Sequence, residues 1–330
     1  MSSLTRAQAV CLLIIVAAWA APPVAAQRSS GPAAWPERPV RLICAGAPGS
    51  SPDVAARLYA ERLMARWHQA VPVESRPGAD GTLAVAHLLA QRDGHALLFT
   101  FIAALTVAPL LHDRLPFDPV EDVAPISSGA GDFAVVTVAP MLPVTSLADL
   151  VELARRRPGT LNWASGAGDL YMSFLGFVRH RGLDMHYVAY RAPAPALHDL
   201  AVGRIDALML PLVAALPQAQ AGRLRLLAVA NPVRSPAAPE VPTAAEAGFP
   251  ELTFEGRLGF FGPRAMPSEL RERIAADIRA VAADPVFGER LRGLGMVARA
   301  DTPTEFSAHI EANRAHWTAV ARAYGPRPPR

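Results

Sequence analysis

From Val40 onward, short apolar runs alternate with longer stretches whose apolar residues recur every three or four positions, the rhythm of strand followed by helix. A first strand from Val40 ends in the turn around Pro48-Gly49, and a helix from about Pro52 to His68 places Val54, Leu58 and Leu63 on one stripe. Val71–Ser75 reads as a second strand, Arg76–Gly81 as a turn, a helix runs through Leu83, Ala86, Leu89 and Ala90, and His95–Phe101 is a third strand. This order predicts parallel pairing with right-handed crossovers. The proline-rich segment Leu115–Pro125 fits neither regular element and is expected to wrap a surface.

Strands restart at Phe133–Val138, and a second set follows: helix Leu147–Arg156, strand Leu161–Ala164, loop Ser165–Asp169 and a helix through Phe174 and Phe177. Strand Met185–Tyr190, helix Pro195–Val202, strand Ile205–Leu210, helix Leu212–Ala221 and strand Arg225–Ala230 complete it. Phe254–Pro263 reads as a strand bridging back to the first half, and helices Pro267–Ala283, Pro285–Leu294 and Thr302–Tyr324 are expected to pack on that half. The predicted class is α/β, with two halves that each contain a glycine-bearing loop feeding a helix and a cleft between them.

Those loops carry the candidate chemistry. In Pro48-Gly-Ser-Ser-Pro-Asp53, Ser50 or Ser51 suits the N-cap and Pro52 the first helical position. The first N–H groups of the helix lack intrahelical partners and carry the positive end of its dipole, which makes the loop a small-anion cradle. There is no Gly-Lys-Ser/Thr, so it is no P-loop, and Gly46-Ala-Pro-Gly49 is no dinucleotide fingerprint. An ordinary strand-to-helix turn with the same residues is the alternative.

Composition narrows the field. Residues 1–26 hold one basic residue, Arg6, an apolar run from Ala9 to Ala21 and the small-residue site Val24-Ala-Ala26, the pattern of a secretory signal peptide; residues 27–34 form a small-residue linker. Cys11 leaves with the signal, and Cys44, inside the first strand, is expected to be a buried thiol. Every basic residue is Arg, and the formal net charge of +3 is too weak to point to nucleic acid. Ser50 and Ser51 lack a nucleophile elbow, and no His-Glu-x-x-His or Cys-x-x-Cys spacing occurs, so an enzyme, with hydrolysis as its form, is the less favoured class. His309 and His316 share a face of the last helix and read as an exposed face rather than a metal pair.

Several motifs in order, Trp35-Pro-Glu-Arg-Pro-Val40, the Pro-Gly loop ending at Asp53, Glu74-Ser-Arg-Pro-Gly-Ala79, Leu115-Pro-Phe-Asp-Pro119, Pro158-Gly-Thr-Leu-Asn162, Pro195-Ala-Leu-His-Asp-Leu200 and Val241-Pro-Thr-Ala-Ala-Glu-Ala-Gly248, give a specific likeness. The chain resembles the periplasmic substrate-binding receptors of tripartite tricarboxylate transporters, the Bug family. The resemblance implies a Venus-flytrap fold of two α/β domains, about 35–134 with 258–330 and 135–257, closing on a small carboxylate without metal, nucleotide or other cofactor. The chain's partners are then expected to be the membrane subunits of a transporter; a rival reading is a ligand sensor that docks to a membrane sensor kinase, and because a flytrap needs no second chain a monomer is expected. Loops Pro48, Gly49, Ser50, Ser51, Asp53 and Ser165, Gly166, Ala167, Gly168, Asp169 would face each other across the ligand.

Within that pattern the chain departs at the pocket. The family's Gly-Gly is Gly49-Ser50, the Thr before the loop aspartate is Pro52, and the Thr/Ser-rich loop after the third strand is Phe101-Ile-Ala-Ala104. Leu210 stands where an Asp is common and Arg257 where an aromatic is common. Phe101, Ile102 and Leu210 are therefore expected to form an apolar wall that favours a bulkier or aromatic acid. Arg257 is expected either to grip a ligand carboxylate in a bidentate fork, or to be a surface Arg or one paired with Asp169 or Glu255.

Overall fold

The computed structural model describes residues 35–166, 168–190 and 192–326. The signal peptide, the linker and Ala167 lie outside the described residues.

Among the described residues, eleven strands form two sheets. Sheet A holds β1 (Arg41–Cys44), β2 (Val73–Ser75), β3 (Ala96–Phe101), β4 (Val123–Asp132), β10 (Gly256–Pro263) and β11 (Met296–Ala298), in the order β11-β4-β10-β3-β1-β2. Sheet B holds β5 (Ala134–Val138), β6 (Leu161–Ser165), β7 (Met185–Tyr187), β8 (Ala207–Pro211) and β9 (Arg225–Val229), in the order β7-β6-β8-β5-β9. β1 is parallel to β2 and β3, and β6 to β7 and β8, as the strand–helix rhythm predicts. The strands next to the crossings between sheets are antiparallel: β10 to β3 and β4, and β5 to β8 and β9.

The helices follow the apolar stripes. α1 (Ser51–Trp67) buries Ala55, Leu58, Tyr59 and Leu63; α2 (Thr82–Ala90) and the short α3 (Ala103–Thr106) and α4 (Ala108–Leu111) precede β4. α5 (Leu147–Arg156) opens with a full capping box between Ser146 and Asp149, and α6 (Asp169–His180), α7 (Pro193–Ala201) and α8 (Leu212–Gln220) flank sheet B. α9 (Ser268–Ala282) packs on β4, α10 (Pro285–Gly293) on β11, and α11 (Pro303–Tyr324) opens on a capping box between Thr302 and Glu305. α11 packs on β4 and also on α6 of the other sheet, and its Trp317 enters the core around sheet B, so the last helix spans both lobes rather than the first alone.

Hydrophobic patterning misses β4 as well as the short edge strand β11. The β4 residues Ser127-Ser-Gly-Ala-Gly-Asp132 are small or polar, poor β-formers by propensity, yet they are buried between β10 and β11. The reason is aromatic: Tyr59, Phe99 and Phe260 converge on Gly129, where a Cβ would stand 2.7 Å from Phe99 Cε2, and the Tyr59 hydroxyl donates to Gly129 O at 2.6 Å. Only a residue without a side chain admits those rings.

The chain crosses between sheets at Phe133 and again between β9 and β10. Buried Asn231 fastens the two passages: its amide donates to Asp132 O at 2.9 Å and its Oδ1 accepts from Ala134 N–H at 3.0 Å. From Pro36 onward the chain forms one compact unit, because Ala103 and Val107 of the first lobe belong to the core cluster around sheet B.

Candidate functional site

The β1–α1 loop is held by its own groups. The Gly49 N–H donates to Asp53 Oδ2 at 3.0 Å, the Ser50 N–H to Ala47 O at 3.0 Å and the Ser50 hydroxyl to the same carbonyl at 2.6 Å. Asp53 Oδ1 accepts from Arg57 Nε at 3.0 Å and from the Ser75 hydroxyl at 3.2 Å. Burial would raise the Asp53 pKa, but the hydrogen bonds from Arg57, Gly49 and Ser75 prevail and hold it below the usual carboxylate value. Asp53 thus shapes the loop, while Pro48 and Gly49 sit exposed at its tip. Ser50 occupies the N-cap position without a side-chain cap bond. Ser51, fully buried, turns its hydroxyl inward toward Asp132. Cys44, at the end of β1, is a buried thiol whose pKa is pushed up to about 12 by desolvation.

The β6–α6 loop comes from the other lobe. Gly166 N–H donates to Met209 O at 2.8 Å, Gly168 takes φ +64, and Asp169 starts α6 with Oδ1 accepting from Leu170 N–H at 3.0 Å. A Cβ on Gly168 would stand 3.1 Å from the Ala103 Cβ, so this loop rests directly on the turn that follows β3. Phe101 and Leu210, from the two lobes, join the same apolar cluster. Ile102 points the other way, into the core of sheet A.

Side chains alternate along β10, and its two faces differ. On one face a Cβ at Gly256 would lie 3.7 Å from the Asp132 Cβ and 4.0 Å from Asp169 Oδ2. Asp132, at the end of β4, and Asp169 are each 4 % exposed. Burial pushes the Asp132 pKa up to about 7; the Ser51 hydroxyl opposes that rise and repulsion from Asp169 adds to it. Asp169 is likewise pushed up to about 7 by desolvation. The Ser51 hydroxyl faces Asp132, and Asp132 Oδ1, Ser51 Oγ, Ser165 Oγ and Tyr171 Oη are buried with no hydrogen-bond partner among the described residues. Such atoms are few in folded proteins; Arg62 Nε, Thr253 Oγ1, Arg271 Nε and Trp317 Nε1 are others of this kind among the described residues.

On the other face, every charge is answered. Arg257 Nη2 meets Glu255 at 3.4 Å and Nη1 meets Asp301 at 3.3 Å, while Arg299 Nε reaches Glu255 at 3.1 Å and the Ser128 hydroxyl donates to Asp301 Oδ2 at 2.5 Å. Arg257 therefore pairs within the protein, through Glu255 as one of the two expected partners and through Asp301, which sequence reading did not anticipate. It lines a cavity of about 260 Å³ under α11 together with Ile102, Glu255, His309, Asn313 and Trp317. Among the described residues no cluster of His, Cys, Asp and Glu is arranged to hold a metal ion.

Besides Tyr171, three residues near the face between the lobes escaped the sequence reading. Asp132 lay beyond any recognised strand. In the turn after β2, Ala79 and Asp80 adopt φ +45 and +53, and Asp80 Oδ2 contacts His112 Nε2 at 2.6 Å. Tyr187 at the end of β7, directed at the Ser165 hydroxyl, lies within electrostatic reach of Asp80 of the opposite lobe. The signal for Asp80 was legible in principle: glycines at 78 and 81 bracket a turn with room for left-handed backbone.

Comparison with known proteins accords with this architecture. A family model described as tripartite tricarboxylate transporter family receptor matches residues 55–325. A relative from Bordetella pertussis, Protein BugT, is 30% identical over 328 residues, covering 98% of this chain and 98% of its own. A UPF0065 protein of Bordetella bronchiseptica is 30% identical over 301 residues, with 89% and 88% covered. Among solved structures, the R. palustris protein Rpa4515 with adipate superposes with a TM-score of 0.83 at 30% identity, covering 88% of this chain and 98% of that one. MatC from Rhodopseudomonas palustris, with bound malate, gives 0.78 at 26% identity, with 87% and 99% covered. The periplasmic binding protein BugD, at 23% identity and a TM-score of 0.80, shares the fold. With two α/β lobes joined by crossing strands and the family model matched over most of its length, the chain belongs to the tripartite tricarboxylate transporter family of receptors.

Proposed function

We propose that this receptor captures a small carboxylate-bearing metabolite between its lobes, in the periplasm, and presents it to the membrane subunits of a tripartite transporter. The observation that carries the reading is that Ser51 Oγ, Asp132 Oδ1 and Ser165 Oγ, buried and without a partner among the described residues, belong to the loop-feeding segments and the strand end that meet around Gly256, where Asp132 of one lobe and Asp169 of the other come together. Unsatisfied buried groups cost about 1–3 kcal/mol each, and a ligand that bonds them recovers that energy. The amino ends of α1 and α6 converge on the same region and favour a carboxylate there. Family membership and two related proteins solved with adipate and malate support the ligand class.

The residues proposed to contact the ligand are Ser51, Ser165, Gly166, Gly168, Asp169, Phe101 and Leu210, joined by Asp132, Asp80, Tyr171 and Tyr187. Phe101 and Leu210 supply an apolar wall, which suits an acid with a hydrocarbon or aromatic body. Opening would pivot at Phe133 and at the passage between β9 and β10, separating 35–134 with 258–330 from 135–257 in a monomer. Among the described residues no helix is long and apolar enough to cross a membrane, in keeping with a receptor that meets its transporter from outside the bilayer. A thermal-shift screen of linear and aromatic carboxylic acids, followed by small-angle scattering with the best hit, tests this reading. A saturating ligand at 100 times its Kd adds about 2.7 kcal/mol of stability, and the radius of gyration falls on binding. A melting point unmoved by any acid contradicts it.

A further inference from the structure

We propose that the ligand of the interlobe site carries an ammonium group as well as its carboxylate, and that Asp132 and Asp169 form the seat for that cation; this rests on interlobe capture as proposed above. Asp132 and Asp169, from opposite lobes, flank Gly256: its Cβ position lies 3.7 Å from the Asp132 Cβ and 4.0 Å from Asp169 Oδ2. Each is 4 % exposed, and no arginine or histidine among the described residues pairs with either. Elsewhere the protein does answer its partly buried carboxylates: Asp53 with Arg57, Asp277 with Arg66, Glu251 with Arg181, and Asp301 with Arg257. The exception lies at the one place where the lobes close.

The second observation is independent of the acidic pair. The fully buried Ser51 hydroxyl points at Asp132 without completing a hydrogen bond, and Asp132 Oδ1 has no partner among the described residues. An ammonium has three donors at tetrahedral angles, and Asp132 Oδ1, Asp169 Oδ2 and Ser51 Oγ are three acceptors drawn from β4, α6 and α1. A ligand with two carboxylates and no cation would instead bring a third negative group against two buried ones, which repulsion forbids unless protons are taken up. At the other end of the ligand, the Ser165, Tyr171 and Tyr187 hydroxyls provide donors suited to a carboxylate. The class assigned is therefore a zwitterionic acid: an amino acid or an amino-substituted carboxylic acid.

Matched pairs in which only one carboxylate is exchanged for an ammonium test this directly: succinate with 3-aminopropanoate, glutarate with 4-aminobutanoate, adipate with 5-aminopentanoate, together with 3-phenylpropanoate and phenylalanine. Isothermal titration calorimetry on the wild-type mature chain is expected to give at least tenfold tighter binding for the amino member of the pair that fits. Asp132→Asn and Asp169→Asn, each checked by circular dichroism, are expected to reduce that preference to less than threefold. If either variant fails to fold, the wild-type pairs decide alone. Equal or tighter binding of the members without an amine overturns the ammonium seat and leaves interlobe capture standing. Absence of binding by every acid in both series overturns both.

Discussion

The two faces of β10 carry charge in opposite arrangements. On the face under α11, Arg257, Glu255, Arg299 and Asp301 close on one another at 3.1–3.4 Å. On the face between the lobes, Asp132 and Asp169 stand within 4.0 Å of the Gly256 Cβ position and no described cation meets them. A paired ion network lowers the free energy of the unliganded protein, whereas an unpaired buried carboxyl raises it and is retained only where something else recovers the difference. Arg257, the charged residue singled out from the sequence for ligand contact, is thus paired within the protein, and the less conspicuous Asp132 is the residue proposed for the site.

This contrast breaks first at Asp301. Asp301→Ala removes the acceptor of both Arg257 and Ser128, leaves a guanidinium side chain only 15% exposed with one partner fewer, and is expected to lower stability by about 3 kcal/mol in urea titration, with ligand affinity unchanged. An equal loss of ligand affinity would merge the two faces.

The carboxyl pair behaves in the opposite sense. A folded-state pKa near 7, above the unfolded value near 3.8, means the native state holds more protons than the unfolded chain between those values. Stability of the ligand-free protein should therefore fall as pH rises from about 4 through 7 and level off above. Asp132→Asn or Asp169→Asn should flatten that slope and gain about 2 kcal/mol at pH 8, read from melting curves across pH. A wild-type curve that rises over the same interval would show that the pair is stabilised in its charged form.

Smaller effects sharpen the picture. Glu255→Gln keeps the shape but weakens the acceptor shared by Arg257 and Arg299 in a partly solvated setting, so the expected loss is about 1 kcal/mol, diminished further by 0.5 M salt. Ser51→Ala deletes a hydroxyl that completes no hydrogen bond, and its effect on stability should stay within about 0.5 kcal/mol while affinity for the bound acid drops. A stability loss well beyond that would assign Ser51 to the framework.

Most regular elements were legible because burial writes itself into apolar spacing. Leu147–Arg156 matches α5 end to end, and the capping pair Thr302 and Glu305 marks the start of α11. Four were not: β4, α3, α4 and β11. Ser127–Asp132 lacks apolar alternation because its burial is imposed by Tyr59, Phe99 and Phe260 from elsewhere in the chain. The short α3 and α4 follow Phe101-Ile-Ala-Ala104, read as loop, and β11 is a three-residue edge strand with no room for a period. At the site, the two loops that feed α1 and α6 stood out by their glycines and caps. Which of their groups are free to meet a ligand did not, because that depends on partners distant in sequence: Asp53 is consumed by Arg57 and Ser75, and Arg257 by Asp301.

The assignment of ligand contact to the face between the lobes is tested most directly by calorimetric titration of the tightest-binding acid into wild type, Asp169→Asn and Arg257→Gln at one pH. Affinity should change at least tenfold in Asp169→Asn and stay within twofold in Arg257→Gln, even as the second variant melts earlier. The reverse pattern, with Asp169→Asn binding as wild type does and Arg257→Gln losing the ligand, would contradict it and move the ligand to the cavity under α11.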